Sequence, residues 1–451
     1  MQIKQWEDKS LAHFSYAVLS DCEKKIVLID PARDATPYLE YAAAEGAWIV
    51  GVIETHPHAD FVSSHLELHQ ETGAILYVSA LAGVQYPHEP LYDGSELHVG
   101  KVRLRALHTP GHSPDSVSIV LERDGKPQAV FTGDTLFIGD CGRPDLREGA
   151  GALQATREDL ARQLYHSLRD KLLPLPDDVL LYPAHGAGTL CGKALSNASV
   201  SSMGAERQTN WSLQDLGEEE FVKELLADQP FVPKYFPFDV ELNRKGAPAL
   251  AAAIRNVPIG TPVSAANAAR LQPGTWVVDG RKEIVFKAGH LPHSVNLMEG
   301  NKFETWLGSI IVPGEPFYLA AADDAQLQRL LRRAAAIGYE AQIAEAFVLE
   351  GGPEREEPFD LDAFRYAPDA YTVVDVRNPS ETKAARPFGH SIAIPLADLR
   401  ERAHDIPFGK PIVVHCAGGY RSAAAASLLS SVVDGRAKVF DLGEEIRNFP
   451  L

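Results

Sequence analysis

Short apolar runs alternate with polar and helical segments through the first half of the chain. Five runs are rich in β-branched and aromatic residues, which predicts β-strands. They are WIVGVIET (48–55), AILYVS (74–79), VRLRALH (102–108), SVSIVLE (116–122) and VLLYPAH (179–185). LARQLYHSLRDKLL (160–173) has the apolar spacing of a helix. Several of the β-runs end in a stretch with His or Asp beside Gly or Pro, so we expect polar chemistry at strand ends.

The pattern changes between Asp228 and Pro262, where six prolines mark a long connecting region. A weak internal repeat follows it. WVVDGRKEIVFKAGHLPHSVNL (276–297) resembles TVVDVRNPSETKAARPFGHSIAIPL (372–396), and GEPFYLAAADDAQ (314–326) lines up with GKPIVVHCAGGYR (409–421). Each copy predicts strand, loop, strand and helix. The charged, Gly-rich segment GGPEREEP (351–358) is predicted to link the copies. We therefore expect three domains, at 1–240, 241–352 and 353–451.

Composition and charge narrow the class of protein. The 451 residues are 45% hydrophobic and 23% charged, as in a globular protein. No apolar run is long enough to span a membrane, and the N-terminus does not resemble a signal peptide. A net charge of −18 argues against a nucleic acid partner. The four cysteines are widely spaced without a CxxC pair, so we expect free thiols and a cytoplasmic location.

Four short segments of the first domain carry side chains that suit a first-row divalent metal. They hold His56, His58 and Asp60 in HPHAD, His112 in HTPGHS, Asp134 in FTGDTLF, and His185 in PAHG. A lone histidine would be read as an ordinary core or surface residue. Four such segments, each following an apolar β-run, predict that the side chains converge on one metal centre.

This constellation resembles the metallo-β-lactamase superfamily over about residues 10–215. The resemblance implies an αββα sandwich and an activity like that of glyoxalase II or of persulfide dioxygenases. Binuclear hydrolases of the superfamily carry H-x-H-x-D-H, whereas this chain has Phe61 at the last position. A phenyl ring cannot ligate, and we expect it to close the second metal position. We do not expect His65 to substitute.

Persulfide dioxygenases of this superfamily hold one iron with two histidines and one aspartate. The matching residues are His56, His112 and Asp134, so the resemblance implies one Fe(II) per chain. The residues themselves leave Fe and Zn open. His58, Asp60 and His185 are then expected to orient ligands, substrate or water.

Two further residues follow from the same resemblance. The stretch CGRPD (141–145) is similar to one that frames persulfide dioxygenase sites. Arg143 is a candidate to bind a carboxylate or sulfur oxyanion, and the alternative is a structural turn in which it pairs with an Asp. The loop GAGTLCGK (186–193) resembles fusion enzymes in which a cysteine accepts sulfane sulfur. That implies a catalytic role for Cys191, with Lys193 favouring its thiolate, against the alternative of a small buried apolar residue.

The segment HCAGGYRS (415–422) follows a buried strand and precedes an Ala-rich helix. Backbone N–H groups and the positive helix end would stabilise a thiolate or persulfide on Cys416. Gly418 and Gly419 let the loop curl, and Arg421 adds a positive charge. With Ala417 and Tyr420 these residues resemble the six-residue active-site loop of rhodanese, an α/β fold with a parallel sheet. An inert buried cysteine is the alternative, and Asp375 and Arg377 are read as structural.

The middle repeat differs at the same place. The alignment puts Ala321 where Cys416 stands and Gln326 where Arg421 stands. Asp323 and Asp324 would also repel an anion. We therefore expect an inactive rhodanese-like domain, kept for packing, docking or oligomerisation.

Three hypotheses follow. The first is an iron persulfide dioxygenase coupled to a sulfurtransferase, which oxidises a small thiol persulfide (glutathione, coenzyme A or similar) with O2 to sulfite or thiosulfate and relays sulfur through Cys416. The second is a two-metal thioester hydrolase of glyoxalase II type with an appended rhodanese. The third is a persulfide sensor without catalysis. We expect no nucleic acid or membrane partner, and a homo-oligomer.

Overall fold

In the computed structural model the chain forms two compact units. The structure describes residues 1–147, 155–193, 195–300, 302–433 and 435–449. The first unit comprises Met1–Ala253 with Ala335–Gly338, and the second comprises Ile254–Ala334 with Tyr339–Leu451. The domain limits at 240/241 and 352/353 stay predictions.

Two six-stranded sheets form the first unit. The first sheet has the spatial order β1 to β6: β1 (Gln2–Asp8), β2 (His13–Ser20), β3 (Lys25–Ile29), β4 (Trp48–Glu54), β5 (Ile75–Ser79) and β6 (Glu89–Leu91). The second has the spatial order β12 to β7: β7 (Glu96–Val99), β8 (Val102–His108), β9 (Val117–Arg123), β10 (Lys126–Gly133), β11 (Leu180–Pro183) and β12 (Ser201–Ser202). The five predicted strands correspond to β4, β5, β8, β9 and β11 and are confirmed.

The part of the chain that forms these sheets also contains helices. They are α1 (Thr36–Glu45), α2 (His65–Thr72), α3 (Arg157–His166), α4 (Met203–Thr209), α5 (Glu218–Leu226), α6 (Phe236–Lys245) and α7 (Leu250–Arg255). One buried cluster joins the inner faces of the two sheets through Tyr16, Ile53 and Phe131. Two more clusters pack α1 and α2 on the first sheet, and α3 and α5 on the second. The layers are thus αββα, as the resemblance implied. The helix predicted at 160–173 is α3, continued by a π-helical turn at Ser167–Leu172.

The second unit holds two four-stranded parallel sheets. One has the order β14-β13-β15-β16, from β13 (Trp276–Asp279), β14 (Ser294–Asn296), β15 (Phe317–Ala321) and β16 (Ile343–Val348). The other has the order β18-β17-β19-β20, from β17 (Thr372–Asp375), β18 (Ile392–Ala393), β19 (Ile412–His415) and β20 (Val439–Asp441). We call the part with the first sheet the middle module and the part with the second the last module.

The helices of these modules are α8 (Glu283–Ala288), α9 (Phe303–Ile310), α10 (Asp324–Ala336), α11 (Leu361–Tyr366), α12 (Pro379–Ala384), α13 (Leu399–Arg402) and α14 (Tyr420–Val433). Short 3-10 turns occur at Asp145–Arg147, Trp211–Leu213, Ala268–Arg270, Glu340–Gln342, Pro368–Ala370, Leu396–Asp398, Ala403–Asp405 and Gly443–Asn448. No helix among the described residues is both long and apolar enough to cross a membrane.

The strand register of the two modules agrees with the aligned repeat. Asp279 at the end of β13 pairs with Ala320, and Asp375 at the end of β17 pairs with His415. The next residue along is Ala321 in the middle module and Cys416 in the last. The structure therefore places an alanine at the position that the nucleophile occupies in the other copy.

Candidate metal centre and sulfur-transfer site

Three strand ends bring His56, His112 and Asp134 together in the first unit. His56 lies two residues beyond β4, His112 lies in the loop after β8, and Asp134 directly follows β10. All three side chains are buried. One potential ligand atom from each lies within 4.8 Å of the others. The predicted convergence of these segments is thus present in the fold.

The geometry around Asp134 fits a bound cation. Its Oδ2 lies 3.5 Å from His112 Nε2 and 3.9 Å from His56 Nε2. This oxygen is buried and accepts no hydrogen bond from the residues that the structure describes. A buried carboxylate oxygen without a donor is costly unless a cation satisfies it. Two imidazoles and one carboxylate are a donor set for a first-row divalent metal.

Hydrogen bonds from neighbouring groups select which ring nitrogens face the centre. His112 Nδ1 lies 2.9 Å from the carbonyl oxygen of Arg143, and His56 Nδ1 lies 3.1 Å from Thr55 Oγ1. The Thr55 hydroxyl donates to Asp30, so Thr55 accepts from His56. Both imidazoles then carry the proton on Nδ1, and both Nε2 atoms are left as ligands. Such outer partners fix the tautomer and the orientation of a metal-binding histidine.

His185 lies between two carboxylates and orients Asp134. Its Nδ1 is 2.7 Å from Asp134 Oδ1 and its Nε2 is 2.8 Å from Asp60 Oδ2. Burial alone would lower the pKa of His185, but Asp134 and Asp60 outweigh burial and hold it well above the usual value. Burial likewise acts to raise the pKa of Asp134, and His185, His112 and His56 together hold it well below its usual range. Asp60 and His185 therefore support the centre from one side.

Cys191 joins Asp60 and His185 in a second buried group. Potential ligand atoms of these three residues also lie within 4.8 Å of one another. The pattern H-x-H-x-D-H did not reveal this group, because its third member comes from a loop about 130 residues later. Burial raises the pKa of the Cys191 thiol well above its usual value, and Asp60 and Asp134 raise it further.

Lys193 donates a hydrogen bond to another part of the first unit. Its ammonium donates to the carbonyl oxygen of Glu224 at 2.7 Å. Burial lowers the pKa of Lys193 itself. The protein residues around Cys191 thus favour its thiol, and an action of Lys193 on the Cys191 thiolate stays a prediction.

Phe61 packs against two histidines. Its ring centroid lies 3.9 Å from that of His13 and 4.3 Å from that of His58, whereas His185 is 6.4 Å away. The ring supplies no donor, as expected. The ring does not, however, separate Asp60 from His185. The place where a second metal would bind is therefore lined by Asp60, His185 and Cys191 as well as by Phe61. His13 was missed by sequence reasoning, since it lies alone at the start of β2 without a motif.

His58 belongs to a third buried group, with Asp30 and Glu54. Its Nε2 lies 3.0 Å from Asp30 Oδ1 and 3.7 Å from Glu54 Oε2, and its ring centroid is 4.2 Å from that of His56. Burial raises the pKa of Glu54 to about 8. His58 therefore supports His56 by packing and contacts Asp30. His65 begins α2 and is in none of the three groups.

Arg143 is used within the protein, and its predicted role as a substrate contact needs correction. The guanidinium is buried and forms a bidentate pair with Asp145, with distances of 2.7 and 2.6 Å. It also donates to the carbonyl oxygens of Leu190 and Pro230 at 3.1 and 2.7 Å. These contacts match the alternative of a structural turn. Arg143 reaches the metal centre only through its backbone carbonyl, which accepts from His112.

The loop after β19 surrounds Cys416 with donors. The sulfur accepts from the N–H groups of Gly419 at 3.1 Å and Gly418 at 3.5 Å. Gly419 has a φ of 102°, which lets its amide turn toward the sulfur. Helix α14 begins at Tyr420, so its positive end lies beside Cys416. Ala417 is exposed at the edge of the loop. This is the anion-binding cradle that the sequence predicted.

Arg421 shares its charge with a carboxylate. Its guanidinium pairs with Glu381 of α12 through two contacts of 2.6 and 2.8 Å. The predicted free positive charge at the loop is therefore partly neutralised. Asp375 and Arg377 form a separate buried bidentate pair, with contacts of 2.9 and 2.6 Å. This pair holds the loop after β17, in line with the structural role expected for it.

The corresponding loop of the middle module is closed by its own side chains. The N–H of Ala322 donates to Gln326 Oε1 at 2.7 Å, and Gln326 Nε2 donates to the carbonyl of Gly280 at 2.9 Å. Asp323 accepts from the N–H of Gln326 at 2.7 Å. The side chain of Gln326 thus takes up hydrogen-bonding groups on both sides of this loop. Asp279 and Arg281 form a buried pair like that of the last module, with contacts of 2.9 and 2.7 Å.

Two parts of the chain match family models. Residues 11–185 match the metallo-beta-lactamase superfamily and residues 361–449 match the rhodanese-like domain. Human mitochondrial persulfide dioxygenase ETHE1 is 33% identical over 212 residues, which cover 47% of this chain and 74% of that protein. A hydroxyacylglutathione hydrolase from Francisella tularensis subsp. novicida is 30% identical over 187 residues, covering 41% of this chain and 68% of that protein.

A solved structure extends the similarity into the second unit. The crystal structure of a metallo-beta-lactamase from Staphylococcus aureus subsp. aureus COL has a TM-score of 0.67 and 28% identity, and the match covers 77% of this chain and 98% of that one. The chain belongs to the metallo-beta-lactamase superfamily. Within it, this chain is a relative of the persulfide dioxygenases that also carries a C-terminal rhodanese-like domain.

Proposed function

We propose that the chain is a mononuclear iron persulfide dioxygenase coupled to a sulfurtransferase. The buried group of His56, His112 and Asp134 carries this proposal. Persulfide dioxygenase relatives and the rhodanese-like match support the reaction class. The substrate is a low-molecular-weight thiol persulfide, and one dioxygen and one water convert its terminal sulfur into sulfite and release the thiol.

Fe(II) is proposed as the metal because the reaction consumes dioxygen, which calls for a redox-active ion, and the donor set suits such an ion. Two histidines and one carboxylate on one face leave coordination positions open for persulfide sulfur and for dioxygen, which is the chemistry that the ion would supply. The protein's own residues keep this set in order. His185 holds Asp134 by its Oδ1, and the carbonyl of Arg143 holds His112 by its Nδ1. Burial of all these groups excludes bulk water from the centre.

Sulfur transfer is assigned to Cys416. The amides of Gly418 and Gly419 and the start of α14 stabilise a negative sulfur there. Sulfite made in the first unit would take up sulfane sulfur from Cys416 and become thiosulfate. Cys191, beside the metal centre, is proposed as a second sulfur carrier. It would take sulfane sulfur from a thiol persulfide after losing its thiol proton, and burial opposes that loss.

Aerobic turnover with glutathione persulfide and with coenzyme A persulfide tests the proposal. Oxygen uptake, sulfite and thiosulfate are measured together with the iron and zinc content of the chain. Alanine substitution of His56, His112 or Asp134 should abolish oxygen uptake. Cys416→Ser should retain oxygen uptake and shift the product from thiosulfate to sulfite. Cys22→Ser, which removes an exposed cysteine, is the matched control and should leave both unchanged.

The clearest contrary result would be thiosulfate formation at the full rate by Cys416→Ser, which would exclude the sulfur relay. A two-metal thioester hydrolase is the second candidate. It is favoured by the group of Asp60, His185 and Cys191 and by the hydroxyacylglutathione hydrolase relative. Two metals per chain with hydrolysis of a glutathione thioester, and no oxygen uptake, would establish that candidate instead.

A further inference from the structure

The middle module is in close contact with the sulfur-transfer loop of the last module. The N–H of Asn296 in β14 donates to Ser427 Oγ of α14 at 2.8 Å. Lys287 of α8 lies 2.9 Å from Asp441 of β20. These contacts join β14 and α8 of the middle module to α14 and β20 of the last module.

Tyr420 ties the loop itself to the middle module. Its hydroxyl donates to the carbonyl oxygen of Met298 at 2.9 Å. Gly300 leaves room for the ring, since a Cβ at that position would lie 3.1 Å from it. Tyr420 directly follows Gly419, whose N–H faces the sulfur of Cys416. The middle module therefore holds one end of the cradle.

A cavity of about 760 Å³ opens where the two modules meet at this loop. Its walls include Gly418, Gly419 and Tyr420 from the last module, and Lys282, Lys287 and Met298 from the middle module. Small-molecule sites have volumes of roughly 300–1,000 Å³. The cavity is thus of the right size for a tripeptide-sized thiol and far larger than thiosulfate requires.

Most charges of the cavity are paired within the protein. The pairs are Lys287 with Asp441 at 2.9 Å and with Glu283 at 3.9 Å, Glu444 with Arg447 at 3.6 Å, and Glu445 with Arg365 at 3.2 Å. Lys282 is exposed at the cavity wall, and the described residues give it no ion-pair partner, whereas the single charge of Lys287 faces two carboxylates. The ammonium of Lys282 is available to an anionic ligand.

We propose that the middle module, although it lacks a nucleophile, forms half of the carrier site for sulfur transfer at Cys416. The occupant is a small organic thiol persulfide that bears a carboxylate. Its organic part lies in the cavity with the carboxylate at Lys282, and its terminal sulfur faces the loop. This inference rests on the proposed sulfur transfer at Cys416.

The transfer is an exchange without net oxidation. The thiolate of Cys416 attacks the terminal sulfur of the persulfide, a new S–S bond forms at Cys416, and the old S–S bond of the carrier breaks. The electron pair of the broken bond leaves with the carrier as its thiolate. The amides of Gly418 and Gly419 are placed to receive the charge on the resulting persulfide.

The test compares two sulfur donors on the full chain, glutathione persulfide and thiosulfate. Formation of persulfide on Cys416 is followed by intact mass spectrometry in wild type, Lys282→Gln and Lys410→Gln. The ratio of kcat/KM for glutathione persulfide to that for thiosulfate should fall about 1.5- to fivefold in Lys282→Gln, through KM, as expected for one exposed charge contact. Lys410→Gln removes an exposed lysine outside the cavity and should keep the ratio.

Tyr420→Phe tests separately whether the middle module positions the loop around Cys416. Loss of the contact with Met298 should lower kcat with both donors and shift the pH dependence of Cys416 alkylation, which a change confined to packing elsewhere would not do. Unchanged ratios in Lys282→Gln together with an unchanged alkylation profile in Tyr420→Phe would overturn the inference while leaving the sulfur transfer intact. If wild type forms no persulfide on Cys416 with either donor, the proposed function itself fails.

Discussion

Glu356 lies in the connecting segment between the two modules and gives the second unit a specific pH dependence. Its N–H donates to the carbonyl of Lys287 at 3.0 Å, which ties the segment to α8. The side chain is half-buried. Burial raises the pKa of Glu356 to about 7, with Asp441 and Glu283 adding to the rise and Lys287 opposing it. The folded protein therefore favours the protonated acid.

The direction and size of this pH effect on stability follow from the linkage between proton binding and folding. The carboxyl binds its proton more tightly in the folded state than in the unfolded chain, where the pKa is 4.5. Its contribution to stability is full below pH 4.5 and is lost as the pH rises through about 7. A difference of about 2.5 pH units corresponds to an upper limit of about 3 kcal/mol. We expect about 1–2 kcal/mol, since the side chain partly reaches solvent.

Glu356→Gln removes the ionisation while keeping the size of the side chain. At pH 8 the variant should be more stable than wild type by about 1–2 kcal/mol, and at pH 4.5 the two should agree. Native-state hydrogen exchange of peptides from β17 and β19 reports the unfolding free energy of the second unit in the full chain. Glu357→Gln is the matched control, because Glu357 is the next residue, exposed, and paired with Lys438.

The reasoning about burial would be refuted if Glu356→Gln were equally stable or less stable than wild type at pH 8. It would also fail if Glu357→Gln gave the same gain, since the effect would then be a general response to lost negative charge.

Four further outcomes are expected. Asp134→Asn should lower iron content at least tenfold, measured by elemental analysis, while Asp124→Asn, at an exposed residue, keeps it. Arg377→Gln should cost about 3–5 kcal/mol by hydrogen exchange in β17, because it leaves Asp375 buried and unpaired. Gly419→Ala should lower Cys416 persulfide formation more than tenfold without changing oxygen uptake, because a φ of 102° is strained for a residue with a Cβ, which would also lie only 3.3 Å from Glu444 N. Cys191→Ser should keep one metal per chain by elemental analysis, and two metals in wild type falling to one in the variant would contradict the mononuclear centre.

Local patterns predicted the strands and the convergence of the polar segments, whereas the αββα layers and the choice of His56, His112 and Asp134 as ligands came from the family resemblance. Predicted β-runs that end in or next to His mark β4, β8 and β11, and β4 belongs to one sheet whereas β8 and β11 belong to the other, so these ends meet across the two packed sheets. The cradle around Cys416 is likewise contained in six consecutive residues. These features need no knowledge of distant contacts.

Features that depend on contacts between residues far apart in the chain could not be predicted from the sequence. Arg143 could equally bind a substrate or pair with Asp145, and only the fold shows that the carbonyls of Leu190 and Pro230 take its other donors. The neutralisation of Arg421 depends on Glu381, 40 residues away. The group of Cys191 with Asp60 has the same origin. For Arg421 and Cys191 the deciding partner lies far away in the sequence, at Glu381 and at Asp60.

The difference between the two modules shows what the cradle requires. Both keep the buried Asp-Arg pair and the same strand order, so the frame does not depend on a nucleophile. What the loop does require is an acceptor for its turned amides. Cys416 Sγ provides one in the last module, and Gln326 Oε1 provides one in the middle module. Removal of the sulfur by Cys416→Ala would leave two amides without that acceptor, whereas Cys416→Ser retains an oxygen near them. The serine variant therefore removes sulfur transfer while keeping an acceptor for the loop, whereas the alanine variant removes both.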